Sequence, residues 1–253
     1  MDGTLTPVRK KMRDDMVTAV NELSNHCKIG VITGSKYAYV VEQIPQLFNN
    51  KIISKHMIDI MPCNGTKLYT YADGQYNKVS EVNMIEKIGR ESYNFLVKEC
   101  SSMQLEILKD FRLPFTGTFI QYRGSLLNWC PIGRDAGEDE RAAFVKIDKS
   151  QGLRMKYKNL IQTVAAVQGI DIQVALGGST SLDIYPNGWD KTYGLQHYED
   201  YKFHYFTGDK CQPGGNDWHL YERLKKEGRA YETSSTSRTI EIIKDIISRV
   251  SKS

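Results

Sequence analysis

A chain of 253 residues, 40% apolar and 25% charged, is long enough to bury a sizeable core and has the composition of an ordinary globular protein. Its net charge of +4 gives no footing for nucleic-acid binding and suits a small anionic substrate. No apolar run reaches the roughly 18 residues of a membrane span. No signal-peptide pattern is present, and five cysteines without CxxC spacing fit a reduced, cytoplasmic chain.

Asp2-Gly3-Thr4-Leu5-Thr6 opens the chain. An Asp-Gly-Thr run suits a tight loop after a strand, where glycine admits a ligand close to the backbone and threonine can cap or hold phosphate. The same residues also make a plain turn. Met12, Met16, Ala19, Val20 and Leu23 recur at helical spacing. Lys28 to Thr33 is a short apolar run ending in Gly34-Ser35, which predicts a buried parallel strand. Residues 37–46 follow as a helix that Ser35 could cap. Asp73-Gly74 between two alternating runs predicts a hairpin.

A different pattern begins near residue 80. A helix over 83–100 precedes a second hairpin, 118–122 with 126–130, turning at Arg123-Gly124. Helices over 138–149 and 155–167 and strands over 170–176 and 181–185 come next. From Trp189 a strand at 204–207, a helix at 217–226, a strand at 229–231 and a helix at 237–250 restore the α/β alternation. The expected architecture is an α/β, Rossmann-like parallel-sheet core from residues 1–80 and 188–253. A cap of α+β type on an antiparallel sheet, residues 81–187, is inserted into it.

Three further stretches carry chemistry. Thr207-Gly208-Asp209 follows an apolar strand and leads into Pro213-Gly214-Gly215-Asn216-Asp217. Ligands of open α/β sheets sit beyond the carboxyl ends of strands, and an aspartate there can hold a hard cation. A turn with Asp217 as helix N-cap is the alternative. Lys191, in Asn187-Gly188-Trp189-Asp190-Lys191, stands at a helix start, where the dipole disfavours a cation unless carboxylates or phosphate are near. Arg123, Arg134 and Arg141 fall close together, and guanidinium forks match phosphate bidentately. Taken singly, each reads first as a solvated surface arginine.

Asp2, Ser35, Lys191 and Asp209 together resemble the four motifs of the haloacid dehalogenase superfamily. The stretch Gly117-Thr118-Phe119-Ile120, Arg123, Leu127-Asn128, Cys130-Pro131-Ile132-Gly133-Arg134 and Asp139-Glu140-Arg141 resembles the cap of eukaryotic-type phosphomannomutases. Gly177-Gly178-Ser179-Thr180-Ser181-Leu182-Asp183 and Gly208-Asp209-Lys210 through Asp217 are similar as well. The likeness runs from residue 2 to about residue 240.

This resemblance implies a reversible exchange between mannose 6-phosphate and mannose 1-phosphate, supplying GDP-mannose synthesis. The exchange would pass through an aspartyl phosphate, with a hexose 1,6-bisphosphate as intermediate and activator. It makes Asp2 the general acid and base and Lys191 the catalytic counter-charge. Ser35 would take the transferring phosphoryl group. Arg9, Arg123, Arg134, Arg141, Ser181 and Asp183 would bind the hexose phosphate. Mg²⁺ would be held by Asp2 through its backbone carbonyl and by Asp209, with Asp217 as a further ligand. It also implies a homodimer joined through the caps, and no nucleic-acid or membrane partner.

Departures are visible. Thr33 stands where the family usually has glycine, and Arg223 and Lys226 replace oxygen-bearing side chains of a second cation site near Tyr221. The attacking aspartate of the first motif would stand immediately before Met1, together with the first strand, so a fragment or a start placed too late is expected. A sugar-phosphate phosphatase, or a catalytically dead sugar-phosphate-binding protein if Met1 is the true start, are the alternatives.

Overall fold

The computed structural model describes residues 1–49 and 54–252. The chain divides into two compact units, Met1–Glu81 with Asp190–Ser253, and Val82–Trp189.

In the first unit, α1 (Asp14–Ser24) buries Met16, Ala19 and Val20 and leads to β1 (Ile29–Ile32). The helix expected after Ser35 is instead two. α2 (Tyr37–Gln43) starts after Lys36 with no side-chain cap, and α3 (Pro45–Asn49) follows Ile44, which leaves helical geometry before the proline. A strand not anticipated, β2 (Ile58–Met61), pairs parallel with β1. The hairpin of β3 (Lys67–Ala72) and β4 (Gln75–Glu81) completes a four-stranded sheet ordered β1-β2-β3-β4. Asp73 and Gly74 both have positive φ, the requirement of a type I′ turn.

The C-terminal segment supplies β9 (Phe206–Gly208), α8 (Trp218–Lys225), β10 (Ala230–Glu232) and α9 (Thr236–Val250). β9 and β10 form a separate two-stranded parallel sheet. α9 buries Thr239, Ile242, Ile243 and Ile246, one stripe at i, i+3, i+4 and i+7.

The core of this unit falls into two clusters. Met16, Val20, Val31, Val40, Ile58 and Ile60 lead the first; Phe206, Cys211, Leu220 and Leu224 make the second. Between them lies a cavity of about 480 Å³, lined by both β1 and β9. β1 is consequently less covered than its apolar sequence suggests: only Val31 is fully buried and Gly30 is exposed.

The second unit is a four-stranded antiparallel sheet ordered β5 (Ile120–Tyr122), β6 (Leu127–Trp129), β8 (Ser181–Pro186), β7 (Ile172–Gly177). α6 (Glu138–Gln151) and α7 (Leu153–Val167) connect β6 to β7. The helix expected over 83–100 is split by Gly89 into α4 (Met84–Ile88) and α5 (Arg90–Asp110), which runs ten residues further than predicted. Trp129 and Tyr157 pack edge to face at 5.5 Å in the core. Trp129 Nε1 donates to Gln104 Oε1 at 2.8 Å, and Gln104 Nε2 donates to the Pro131 carbonyl at 2.9 Å, so the buried amide is satisfied at both ends.

Candidate active site

The first unit gathers its charged residues at the carboxyl ends of its strands. The turn after Met1 is held by Leu5 N donating to Met1 O at 2.8 Å. Gly3, at φ 76, is required by a close approach: a Cβ there would lie 2.4 Å from Asp209 Oδ2. Thr4 Oγ1 donates to Asp209 Oδ1 at 3.4 Å, and Lys210 Nζ lies 3.7 Å from Asp209 Oδ2. Asp2, Lys191, Asp209 and Asp217 all act electrostatically on the buried Met1 amino group, whose pKa is lowered by burial and then by Lys191.

The Asp2 carboxylate is held from two sides. Arg9 N donates to Oδ1 at 2.9 Å from a left-handed conformation, φ 57. Tyr39 Oη lies 3.3 and 3.2 Å from the two oxygens. Burial, then Asp2, pushes the Tyr39 phenol up to about 12, so it stays a donor at neutral pH. Arg9 thus meets Asp2 through its backbone, while its side chain is exposed.

Lys191 and Asp217 form a buried ion pair, Nζ to Oδ1 at 2.5 Å. Lys210 N donates to Asp217 Oδ2 at 3.0 Å. Burial pushes the Asp217 carboxyl up, but Lys191, the amino terminus and these hydrogen bonds outweigh it, and the pKa falls below the usual carboxylate value. Asp217 precedes α8 without capping it through its side chain. Asp190 caps the Lys191–Tyr198 3₁₀ helix by accepting from Thr192 N at 2.7 Å.

Ser35 is half-buried at the end of β1, its N–H on Thr33 Oγ1 at 3.2 Å and its carbonyl accepting from Cys63 N at 3.0 Å. Among the described residues no three Asp, Glu, His or Cys side chains gather as a metal cluster. The Asp2 carboxylate faces Tyr39 and the Arg9 backbone, and both oxygens of Asp217 take hydrogen bonds, from Lys191 and from Lys210 N. Asn216 Oδ1, in the loop between Asp209 and Asp217, is buried with no hydrogen-bond partner. Arg223 and Lys226, the departures noted near Tyr221, are both exposed.

The second unit brings three arginines onto one end of its sheet. Arg123 is buried in the β5–β6 turn, Nε donating to Gln121 Oε1 at 3.2 Å and Nη1 3.9 Å from Asp183 Oδ1. Arg134 Nη1 donates to Asn128 Oδ1 at 2.9 Å, and Asn128 Nδ2 to Asp183 Oδ1 at 2.7 Å. Arg141 donates to the Arg134 carbonyl, the Ala136 carbonyl and Thr180 Oγ1 at 2.7, 2.9 and 2.7 Å. Burial and then the nearby Arg123 lower the Arg134 pKa, with Arg141 adding a smaller push. Asp183 faces Arg123 and accepts from Asn128, and Ser181 is buried two residues away on β8. Guanidinium groups of this kind match phosphate oxygens bidentately.

Sequence reasoning found these arginines but not Asn128, which links Arg134 to Asp183 across β6 and β8, nor Tyr39 or Asn216. Tyr39 stands one helical turn after Ser35, and its spacing alone could have placed it on the site-facing side of α2.

An α/β core with carboxylates and a lysine at its strand ends, carrying an inserted antiparallel unit with an arginine cluster, defines a phosphoryl-transfer enzyme of the haloacid dehalogenase type. A Plasmodium falciparum IMP-nucleotidase shares the fold, with TM-score 0.66 at 15% identity over 98% of this chain. This chain spans 65% of that one. A family model described as eukaryotic phosphomannomutase matches residues 16–249. An Arabidopsis thaliana phosphomannomutase is 33% identical over 234 residues, 91% of this chain and 88% of its own length. Phosphomannomutase 1 of Mus musculus is 33% identical over 233 residues, 91% and 84%. The chain belongs to the eukaryotic phosphomannomutase family.

Proposed function

We propose that this chain works as a phosphomannomutase, exchanging phosphate between the 1- and 6-oxygens of mannose through a hexose 1,6-bisphosphate. What supports the reading is the arginine cluster of the second unit together with the lysine and carboxylates at the strand ends of the first. The arginine cluster of the second unit suits the phosphate that is not reacting, while the Lys191 and Asp209 region of the first suits the one that is. A phosphatase needs only one such site, whereas a mutase must hold either end of a bisphosphate while the other reacts.

Asp2 hands its proton to the departing sugar oxygen and takes one back from the attacking hydroxyl; Tyr39 and Arg9 N hold it in place. Lys191 offsets the negative charge gathered at the phosphoryl group. Ser35 offers its hydroxyl and Asp183, with Ser181, hydrogen-bonds the sugar. Arg9 reaches substrate with its exposed side chain. Asp209, the unpartnered Asn216 Oδ1 and the Asp2 carbonyl fit an oxygen-seeking cation such as Mg²⁺, which when bound neutralises phosphoryl oxygens. Asp217 serves this site by fixing Lys191 and the loop.

A cap role for residues 81–187, supply of mannose 1-phosphate for GDP-mannose synthesis, and a cytoplasmic site belong to the same reading. Five free cysteines favour a reducing compartment, and among the described residues no helix is long and apolar enough to cross a membrane. Leu105 and Leu108 on α5 and Met155 and Leu160 on α7 are exposed and favour a homodimer through the second unit.

The test is turnover. With an aspartate placed before Met1, mannose 1-phosphate should become mannose 6-phosphate only when glucose 1,6-bisphosphate is added. Release of inorganic phosphate alone would sink the mutase reading in favour of a phosphatase.

A further inference from the structure

Ser35 lies in the loop after β1, and Lys191 opens the 3₁₀ helix Lys191–Tyr198. For both to meet one phosphoryl group, the helix must be fixed against the loop. The segment that touches both is Pro62–Thr66, which follows β2.

On one side this segment grips the Ser35 loop. Cys63 N donates to the Ser35 carbonyl at 3.0 Å, and Asn64 N to the Thr33 carbonyl at 2.8 Å. Cys63 and Asn64 have left-handed backbone, φ 52 and 62, which is uncommon outside glycine. The turn aims two successive N–H groups at one loop.

On the other side it meets the helix. His197 Nε2 lies 2.7 Å from the Gly65 carbonyl oxygen. A carbonyl only accepts, so this nitrogen carries a proton and donates. The two backbones also touch: a Cβ on Gly65, at φ 86, would lie 2.8 Å from both N and Cα of Gly194. Gly194 is buried within the helix, and Lys191 is buried at its start. His197 is half-buried, its ring set edge-on against Tyr193 at 6.0 Å. The same helix is anchored a second way, by Tyr198 Oη donating to Asp59 Oδ2 on β2 at 3.0 Å. That bond does not pass through the loop.

We propose that His197 is a positioning residue for phosphoryl transfer. Its hydrogen bond to Gly65 locks the Lys191 helix onto the Pro62–Thr66 loop, and the loop carries the restraint to Ser35. His197 thereby sets the spacing between the Ser35 hydroxyl and the Lys191 ammonium. That these two serve one phosphoryl group rests on the phosphomannomutase reading above; the mechanical link between them does not.

The test records the Ser35 and Lys191 amide resonances and the thermal midpoint for His197→Leu, His197→Gln and Tyr198→Phe. Inorganic phosphate is then titrated and followed at the Lys191 amide. His197→Leu should shift both resonances and weaken phosphate about fivefold, the order expected for one lost hydrogen bond. Glutamine keeps a donor without the ring, so His197→Gln should restore the resonances and bring affinity within about twofold of native. Tyr198→Phe should lower the midpoint and leave the Ser35 resonance and the affinity in place. Unmoved resonances in His197→Leu overturn the inference, and so do equal changes in Tyr198→Phe or no recovery with glutamine. Ser35→Ala probes the underlying reading separately. If it leaves phosphate affinity unchanged, the phosphoryl-site assignment fails, while coupled resonance shifts still uphold the link. If Ser35→Ala weakens phosphate and His197→Leu does not, His197 has no positioning role.

Discussion

Lys191 illustrates how one side chain ties stability to chemistry. Lys191 is 5% exposed, and its ammonium is paired with Asp217 at 2.5 Å. Lys191→Ala leaves the Asp217 carboxylate buried without its cation, and a loss of about 3–5 kcal/mol in unfolding free energy is expected in urea titrations. Replacing both by apolar residues should cost much less, which separates the pair's worth from the penalty of orphaning one partner. The pair also sets a pH response. Because the folded Asp217 pKa is depressed, its contribution is complete above the unfolded carboxylate value and fades as pH falls through the folded one. Unfolding free energy should therefore drop on acidification below about pH 4, and Asp217→Asn should flatten that drop. Tyr39 acts on function instead. In a chain competent for turnover, Tyr39→Phe should lower kcat about tenfold with little change in KM, since the lost hydrogen bond orients Asp2 and not the ground-state sugar.

Loops and strands carry the same logic one level up. Arg134 rides on a turn that only glycine can make: Gly133 has φ 95, and a Cβ there would lie 2.2 Å from the Gly117 carbonyl oxygen. Gly133→Ala should destabilise the second unit by more than the ~1–2 kcal/mol of a left-handed residue alone, and should weaken hexose phosphate binding, both measurable by calorimetry. At this level the sequence was read unevenly. Hairpins were legible because Asp73-Gly74 and Arg123-Gly124 sit between alternating runs, a purely local signal. β2 was missed because Ile58–Met61 is four residues long and buried throughout, with no period to betray it. The break at Pro45 follows from the restriction a proline imposes on the residue before it, outweighed in a reading that favoured one long helix. The arginines were found by spacing within one segment, whereas Asn128 and Asp183 meet only through β6–β8 pairing across 55 residues, which no local pattern announces.

For the molecule as a whole, the two units should differ in resilience. The second has a continuous sheet with Trp129, Phe144 and Tyr157 buried on it, and it is one unbroken segment, 82–189. The first has two separate sheets and two core clusters. Hydrogen exchange on the 253-residue chain should show the second unit protected after the first has opened, a two-step profile that a single cooperative core would not give. The functional account depends on the arginine cluster of the second unit and the Lys191 region of the first each binding a phosphate group. The most direct measurement compares binding of glucose 1,6-bisphosphate and glucose 6-phosphate by titration calorimetry, in the native chain and in Arg134→Ala. The account expects the bisphosphate to bind at least about tenfold more tightly, with that margin vanishing in Arg134→Ala, because one charge-assisted phosphate contact is worth roughly 1.5–3 kcal/mol. Equal affinity for the two ligands, unmoved by the loss of Arg134, would contradict it.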